Sequence, residues 1–163
     1  METAMQNDCW FDITGKEAKP DDFELLYERE TAAMFQEVDA LDKHVRDILI
    51  EKKVQVDHFE VQLLLREAFL NAVAHGSKSN PQKKIRCKLF YNKESIAIEV
   101  DDMGAGFDWK TKIAQTPVEP DAVSGRGLFI MRECAEAIYF NEKGNRIFLK
   151  KNQKKTFEEQ LLA

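Results

Sequence analysis

The chain predicts an α+β fold, a two-layer sandwich whose mostly antiparallel sheet carries helices on one face. Three observations lead there. Apolar residues recur at helical spacing through the first half, switch to strict alternation from Ile85 onward, and the alternating runs come in pairs joined by short polar turns. At 163 residues there is room for one ordinary domain with its own core.

Residues 1 to 20 read as a flexible lead-in, although Trp10, Phe11 and Ile13 are apolar enough to pack. Phe23 to Glu28 reads as a first strand. Met34, Val38, Leu41, Val45, Ile48 and Leu49 then repeat at helical spacing, predicting a helix from about Thr31 to Lys52. A second helix starts at Asp57, whose carboxylate can cap free amides, with Glu60 at the reciprocal position of a capping box. Its apolar stripe is Val61, Leu64, Leu65, Ala68, Phe69, Ala72 and Val73, and Asn80-Pro81 closes the region.

Ile85, Cys87 and Leu89, then Ile96, Ile98 and Val100, alternate with other residues about a turn at Asn92 to Ser95. The stretch from Gly104 to Gly127 reads as loop, Leu128 to Ala137 as helix. Ile138 to Phe140 and Ile147 to Leu149 flank a hairpin turn at Glu142-Lys143-Gly144-Asn145. The domain is therefore expected over residues 21–152, with a charged tail of one or two helical turns over 153–163.

The formal net charge of −5 argues against nucleic acid or an anionic membrane as the main partner. Lys83, Lys84, Arg86 and Lys88 have no interleaved aromatics and read as a solvated strand face. No apolar run is long enough to span a bilayer, and the first residues do not read as a secretory signal. Cys9, Cys87 and Cys134, with no C-x-x-C pair, read as reduced thiols of a cytoplasmic protein. His44, His58 and His75 lack metal-ligand spacing, so no metal site built from protein side chains alone is expected.

Three short motifs carry chemistry. Glu67, Asn71 and His75 are each four residues apart and line up along the second helix, beside its apolar stripe. An amide oxygen can ligate a hard divalent ion, and a carboxylate one turn away can orient or deprotonate a nucleophile. Alone, the same spacing is ordinary helix-surface decoration. Asp101-Asp102-Met103-Gly104-Ala105-Gly106 ends a strand. A carboxylate there selects a hydrogen-bond donor such as an exocyclic amino group, or the run is simply a tight turn. Ser124-Gly125-Arg126-Gly127-Leu128 leads into a helix whose first amides can bind an anion, or it is a linker.

Taken together and in this order, the three resemble the N box, the D-x-G-x-G box and the G-x-G box of the histidine-kinase-like ATPase superfamily, which includes DNA gyrase, MutL and sensor histidine kinases. The resemblance covers residues 21 to 152. The run Arg66 to Gly76, with its E-x-x-x-N-A-x-x-H-G pattern, looks especially like the anti-sigma-factor serine kinases, as does Gly125-Arg126-Gly127-Leu128-Phe129-Ile130-Met131.

The resemblance implies a Bergerat-type fold binding ATP with Mg2+. Asn71 would hold the metal and Glu67 would be catalytic base or orienter. Asp102 would receive the adenine amino group, with Gly104 and Gly106 shaping that wall. Ser124, Gly125, Arg126, Gly127 and Leu128 would meet the nucleotide. The D-x-G-x-G register selects Asp102 over Asp101, and His75 reads either as a helix-end residue or as a nucleotide contact.

As partners the resemblance implies a STAS-domain anti-sigma antagonist, whose hydroxyl would be phosphorylated, a sigma factor, and a second copy in a homodimer. One departure is visible. Where the family often has a Gly-Thr pair in the last hairpin, Gly144 is followed by Asn145 and Arg146.

Two other functions fit the same boxes. One is a nucleotide-gated binding module without phosphoryl transfer, its lid lying between about Gly106 and Ser124. The other is a sensor kinase fragment, which His44 does not support because the residues after it lack that family's basic-polar-Pro pattern.

Overall fold

Alternation on two opposed faces governs the sheet. In the computed structural model, which describes residues 9–18, 22–106, 108–111, 126–155 and 157–162, seven strands form one antiparallel sheet. They are β1 (Trp10–Asp12), β2 (Glu17–Ala18), β3 (Glu24–Ala32), β4 (Lys84–Tyr91), β5 (Ser95–Asp101), β6 (Ala137–Asn141) and β7 (Arg146–Asn152). Their spatial order is β2-β1-β6-β7-β5-β4-β3.

The helices α1 (Glu37–Glu51), α2 (His58–Asn71) and α3 (Arg126–Cys134) pack on one face. A short α4 (Phe157–Leu161) follows the sheet. The α+β sandwich is thus as the alternation predicts. No helix among the described residues is long and apolar enough to cross a membrane.

Ile85, Cys87, Leu89, Ile96, Ile98 and Val100 point to the helical layer, where they meet Leu41, Leu64 and Phe69. The β4–β5 turn is set by Asn92, whose Oδ1 accepts from the amides of Glu94 and Ser95 at 2.9 and 2.7 Å. None of the three cysteines is in a disulfide, and burial in the core pushes the Cys87 thiol up to about 12.

The opposite face holds a second core of Trp10, Phe23, Phe90, Ala97 and Phe148. Phe148 is its hub, with ring centroids 5.7 Å from Trp10, 5.6 Å from Phe23 and 5.9 Å from Phe90. This corrects part of the expected lead-in. Trp10–Asp12 pairs with β6, because burying an indole ring against Phe148 stabilises the ordered strand against its loss of chain entropy.

The first long helix also starts later than its spacing suggests. Thr31 and Ala32 end β3, paired with Ile85 and Lys84, and Met34 lies exposed ahead of α1. Capping differs by half. Asp57 accepts from the amides of Phe59 and Glu60 at 3.0 and 3.1 Å, as its position predicts. Glu60, however, turns away from the cap to pair with the buried Lys151 of β7, which also donates to the carbonyl of Cys134 at 2.8 Å. One ammonium group therefore ties β7, α2 and the end of α3 together.

At its far end α2 widens into a π-helical turn, Ala72–Gly76, closed by the amide of Ser77 on the carbonyl of Ala72 at 2.9 Å. Ser77, fully buried, adds its hydroxyl to the carbonyl of Val73 at 2.7 Å.

Candidate functional site

The π turn, the end of β5, the start of β7 and the start of α3 line a cavity of about 350 Å³, the size class of small-molecule sites. Val100, Phe140, Ile147, Ala68, Ala72 and Met131 give it apolar walls, and Asp102, Asn71, His75 and Asn145 place polar groups around them. Apolar walls with a few directed polar groups suit a flat heterocycle bearing a polar tail.

Asp102 leaves β5 as the strand ends. Its amide donates to the carbonyl of Asn145 at 3.0 Å, and its Oδ1 accepts from the amide of Gly104 at 2.7 Å. The side chain is 9 % exposed. Burial pushes its carboxyl above the usual range and the nearby Asp101 charge adds to this, while the Gly104 amide, Lys83 and Lys143 pull the other way. Asp101 does not line the cavity. It binds the amide of Met103 at 2.8 Å and lies 3.8 Å from the Arg146 guanidinium.

Close backbone approach explains three glycines here. A Cβ at Gly76 would overlap the Asp102 carboxyl group. One at Gly104 would stand 2.9 Å from both Asp102 Oδ1 and the carbonyl oxygen of Gly76. Gly106, at φ +84°, passes against the Lys143 carbonyl with no room for a side chain. Gly76 thus belongs to the site by position. It ends the Arg66–Gly76 run, and only its packing on Asp102 reveals the need for glycine.

Across the cavity, Gly127 packs on α2. A Cβ added there would lie 2.8 Å from Glu67 Oε2 and 3.5 Å from Asn71 Nδ2. The opening turn of α3 is therefore held beside Glu67 and Asn71, and Gly127 and Leu128 line the cavity. Glu67 is half-buried behind Gly127, whereas Asn71 and His75 are exposed along the cavity edge. The amides of a helix start so placed can receive an anion. Ser124 and Gly125 lie outside the described residues, as does the side chain of Arg126, whose backbone begins α3.

Asn145, the departure noted in the last hairpin, has a defined place. Its Nδ2 donates to the carbonyl of Gly104 at 3.0 Å, and its Oδ1 accepts from Asn141 Nδ2 at 2.6 Å. Asn141 Oδ1 in turn accepts from the amides of Gly144 and Arg146 at 3.0 and 3.1 Å. A side-chain amide here bridges the hairpin to the glycine loop.

A family model of the histidine kinase-like ATPase domain matches residues 27–151, most of the chain. The chain belongs to the histidine kinase-like ATPase domain family. No curated protein matches it in sequence. Family membership implies that the chain binds ATP, and the cavity offers what a nucleotide requires: an enclosed acceptor, apolar walls and a helix start.

Among the described residues, no three His, Cys, Asp or Glu side chains gather into a metal cage. The amide oxygen of Asn71, at the cavity edge, is a donor type that a hard divalent ion accepts.

Proposed function

We propose that this chain is an ATP-dependent serine/threonine-protein kinase that acts as an anti-sigma factor. It would phosphorylate a STAS-type anti-sigma antagonist, bind a sigma factor, and work as a cytoplasmic homodimer. The E-x-x-x-N-A-x-x-H-G run from Glu67 to Gly76 supports this branch of the family, and the ATP-binding fold supports the chemistry.

The observation that carries the catalytic part is Gly127 packed on Glu67 and Asn71. It brings the amides at the phosphate end of the site beside a carboxylate and an amide oxygen. Asn71 would hold magnesium, which when bound offsets the charge of the phosphates. Asp102 would accept from the adenine amino group, and the amides at the start of α3 would cradle the phosphates. Glu67 would orient the partner's hydroxyl and take its proton as the oxygen bonds to the γ-phosphorus and the bond to ADP breaks. Positioning and charge stabilisation dominate such transfers.

The test is γ-labelled ATP with magnesium and candidate STAS-domain proteins, using wild type and Glu67→Gln in parallel. Label on the partner that depends on Glu67 supports the kinase. Label at the wild-type rate with Glu67→Gln removes Glu67 from the chemistry. A partner that binds only with ATP, yet stays unlabelled, supports the nucleotide-gated binding module instead.

A further inference from the structure

A second and larger depression, about 700 Å³, lies between α1 and α2, away from the nucleotide cavity. Ile50 on the last turn of α1 and Phe59 on the first turn of α2 stand at its rim, 56 % and 66 % exposed. A lone exposed apolar side chain is ordinary, but two on the rim of one groove mark a surface built to be covered.

The C-terminal segment carries the matching surface. Phe157, Leu161 and Leu162 are 74 %, 69 % and 89 % exposed, the three most exposed large apolar residues described. Phe157 and Leu161 share one side of α4 by their four-residue spacing. A helix this short is not stable in water by itself, so packing must supply what its own hydrogen bonds cannot.

The chain also delivers this segment to the groove. After β7, the amide of Lys154 donates to the carbonyl of Gln55 at 2.6 Å, and the amide of Gln55 donates to Gln153 Oε1 at 3.2 Å. Gln55 lies between α1 and α2, at the end of the groove where Ile50 and Phe59 stand. α4 begins three residues after Lys154, a reach of about 10 Å at full extension. Charge does not select the occupant, since Lys43 and Arg46 line the groove beside Asp42 and Asp47.

We propose that the segment Phe157–Leu162 is the groove's own occupant. It closes on the α1–α2 face of the same chain, placing its apolar side against Ile50 and Phe59. The arrangement with α4 standing clear is the released position. Release uncovers an apolar helical face, and docking hides it.

Deuterium exchange on the full chain tests this with Phe157→Ser/Leu161→Ser and, separately, Ile50→Gln. All three positions are exposed, so folding is not at stake. If docking occurs, the tail variant speeds exchange in the last turn of α1 and the first turn of α2. Ile50→Gln reciprocally speeds exchange over 157–162, each by about threefold or more. Effects confined to the substituted segment would overturn the proposal. So would protection that grows with protein concentration, which would make a second copy the occupant.

Discussion

The carboxyl group of Asp102 occupies the space that a side chain at Gly76 would need. The end of the π turn and the end of β5 are thus fitted to each other at one point, and the proposed adenine reader is aimed by a residue on another element. Gly76→Ala should displace Asp102 and weaken ATP binding by about 1–3 kcal/mol, roughly five- to 150-fold. Calorimetric titration with unchanged affinity would show that the contact does not aim Asp102.

Replacing the reader itself gives a second measurement. Asp102→Asn can turn a donor toward the adenine amino group and should cost about 1–3 kcal/mol of ATP affinity. Unchanged affinity would remove Asp102 from adenine recognition.

Burial makes Asp102 sensitive to acid earlier than an ordinary aspartate near 3.8. The ionised form accepts hydrogen bonds, so binding should fall as pH drops through the raised value. ATP titrates too, so the informative quantity is the ratio of wild-type to Asp102→Asn affinity. That ratio should shrink between neutral pH and the ordinary aspartate range. A constant ratio would show that protonation of Asp102 is not linked to binding.

Asn145→Ala removes the donor to the Gly104 carbonyl and the acceptor for Asn141. The glycine loop should loosen, with ATP affinity falling by about 1 kcal/mol, near fivefold. Equal affinity would mean that the loop holds its shape without the bridge.

Glu99 is 2 % exposed on the outer face of the sheet and pairs with Arg146, whose guanidinium lies 5.2 Å from the Trp10 ring centroid. Burial raises its carboxyl, and the Arg146 charge opposes that. A group with a raised folded value contributes stability that is full below its unfolded value, ordinarily near 4.5, and is lost as pH rises through the folded one. Arg146→Met should therefore destabilise by about 3–5 kcal/mol at neutral pH, with the deficit narrowing toward pH 4–5. Denaturant melts at several pH values check this, and a deficit independent of pH would refute it.

Most of the sheet was legible because Ile85, Cys87, Leu89, Ile96, Ile98 and Val100 alternate cleanly and Asn92 marks the turn. The start of α1 was not, since Met34 sits at helical spacing while Thr31 pairs in β3, and spacing alone cannot weigh a strand partner against a helical turn. The strand at Trp10 was hidden because three residues carry no period, and its reason for folding lies at Phe148. Asp102, Asn71 and Gly127 could be named from their boxes. The roles of Gly76 and Asn145 show only in the fold, because Asp102 and Gly104, on which they act, are distant in sequence.

That Trp10 rests on Phe148 also bears on how the chain is made. Phe148 is synthesised well after Trp10, so the outer aromatic core has no hub until the β6–β7 hairpin has emerged. Helices α1 and α2 can begin to associate on the nascent chain, but β1 must wait for β6 and β7 to emerge. A truncated product lacking the β6–β7 hairpin would leave Trp10 exposed, an apolar flag for a quality-control system.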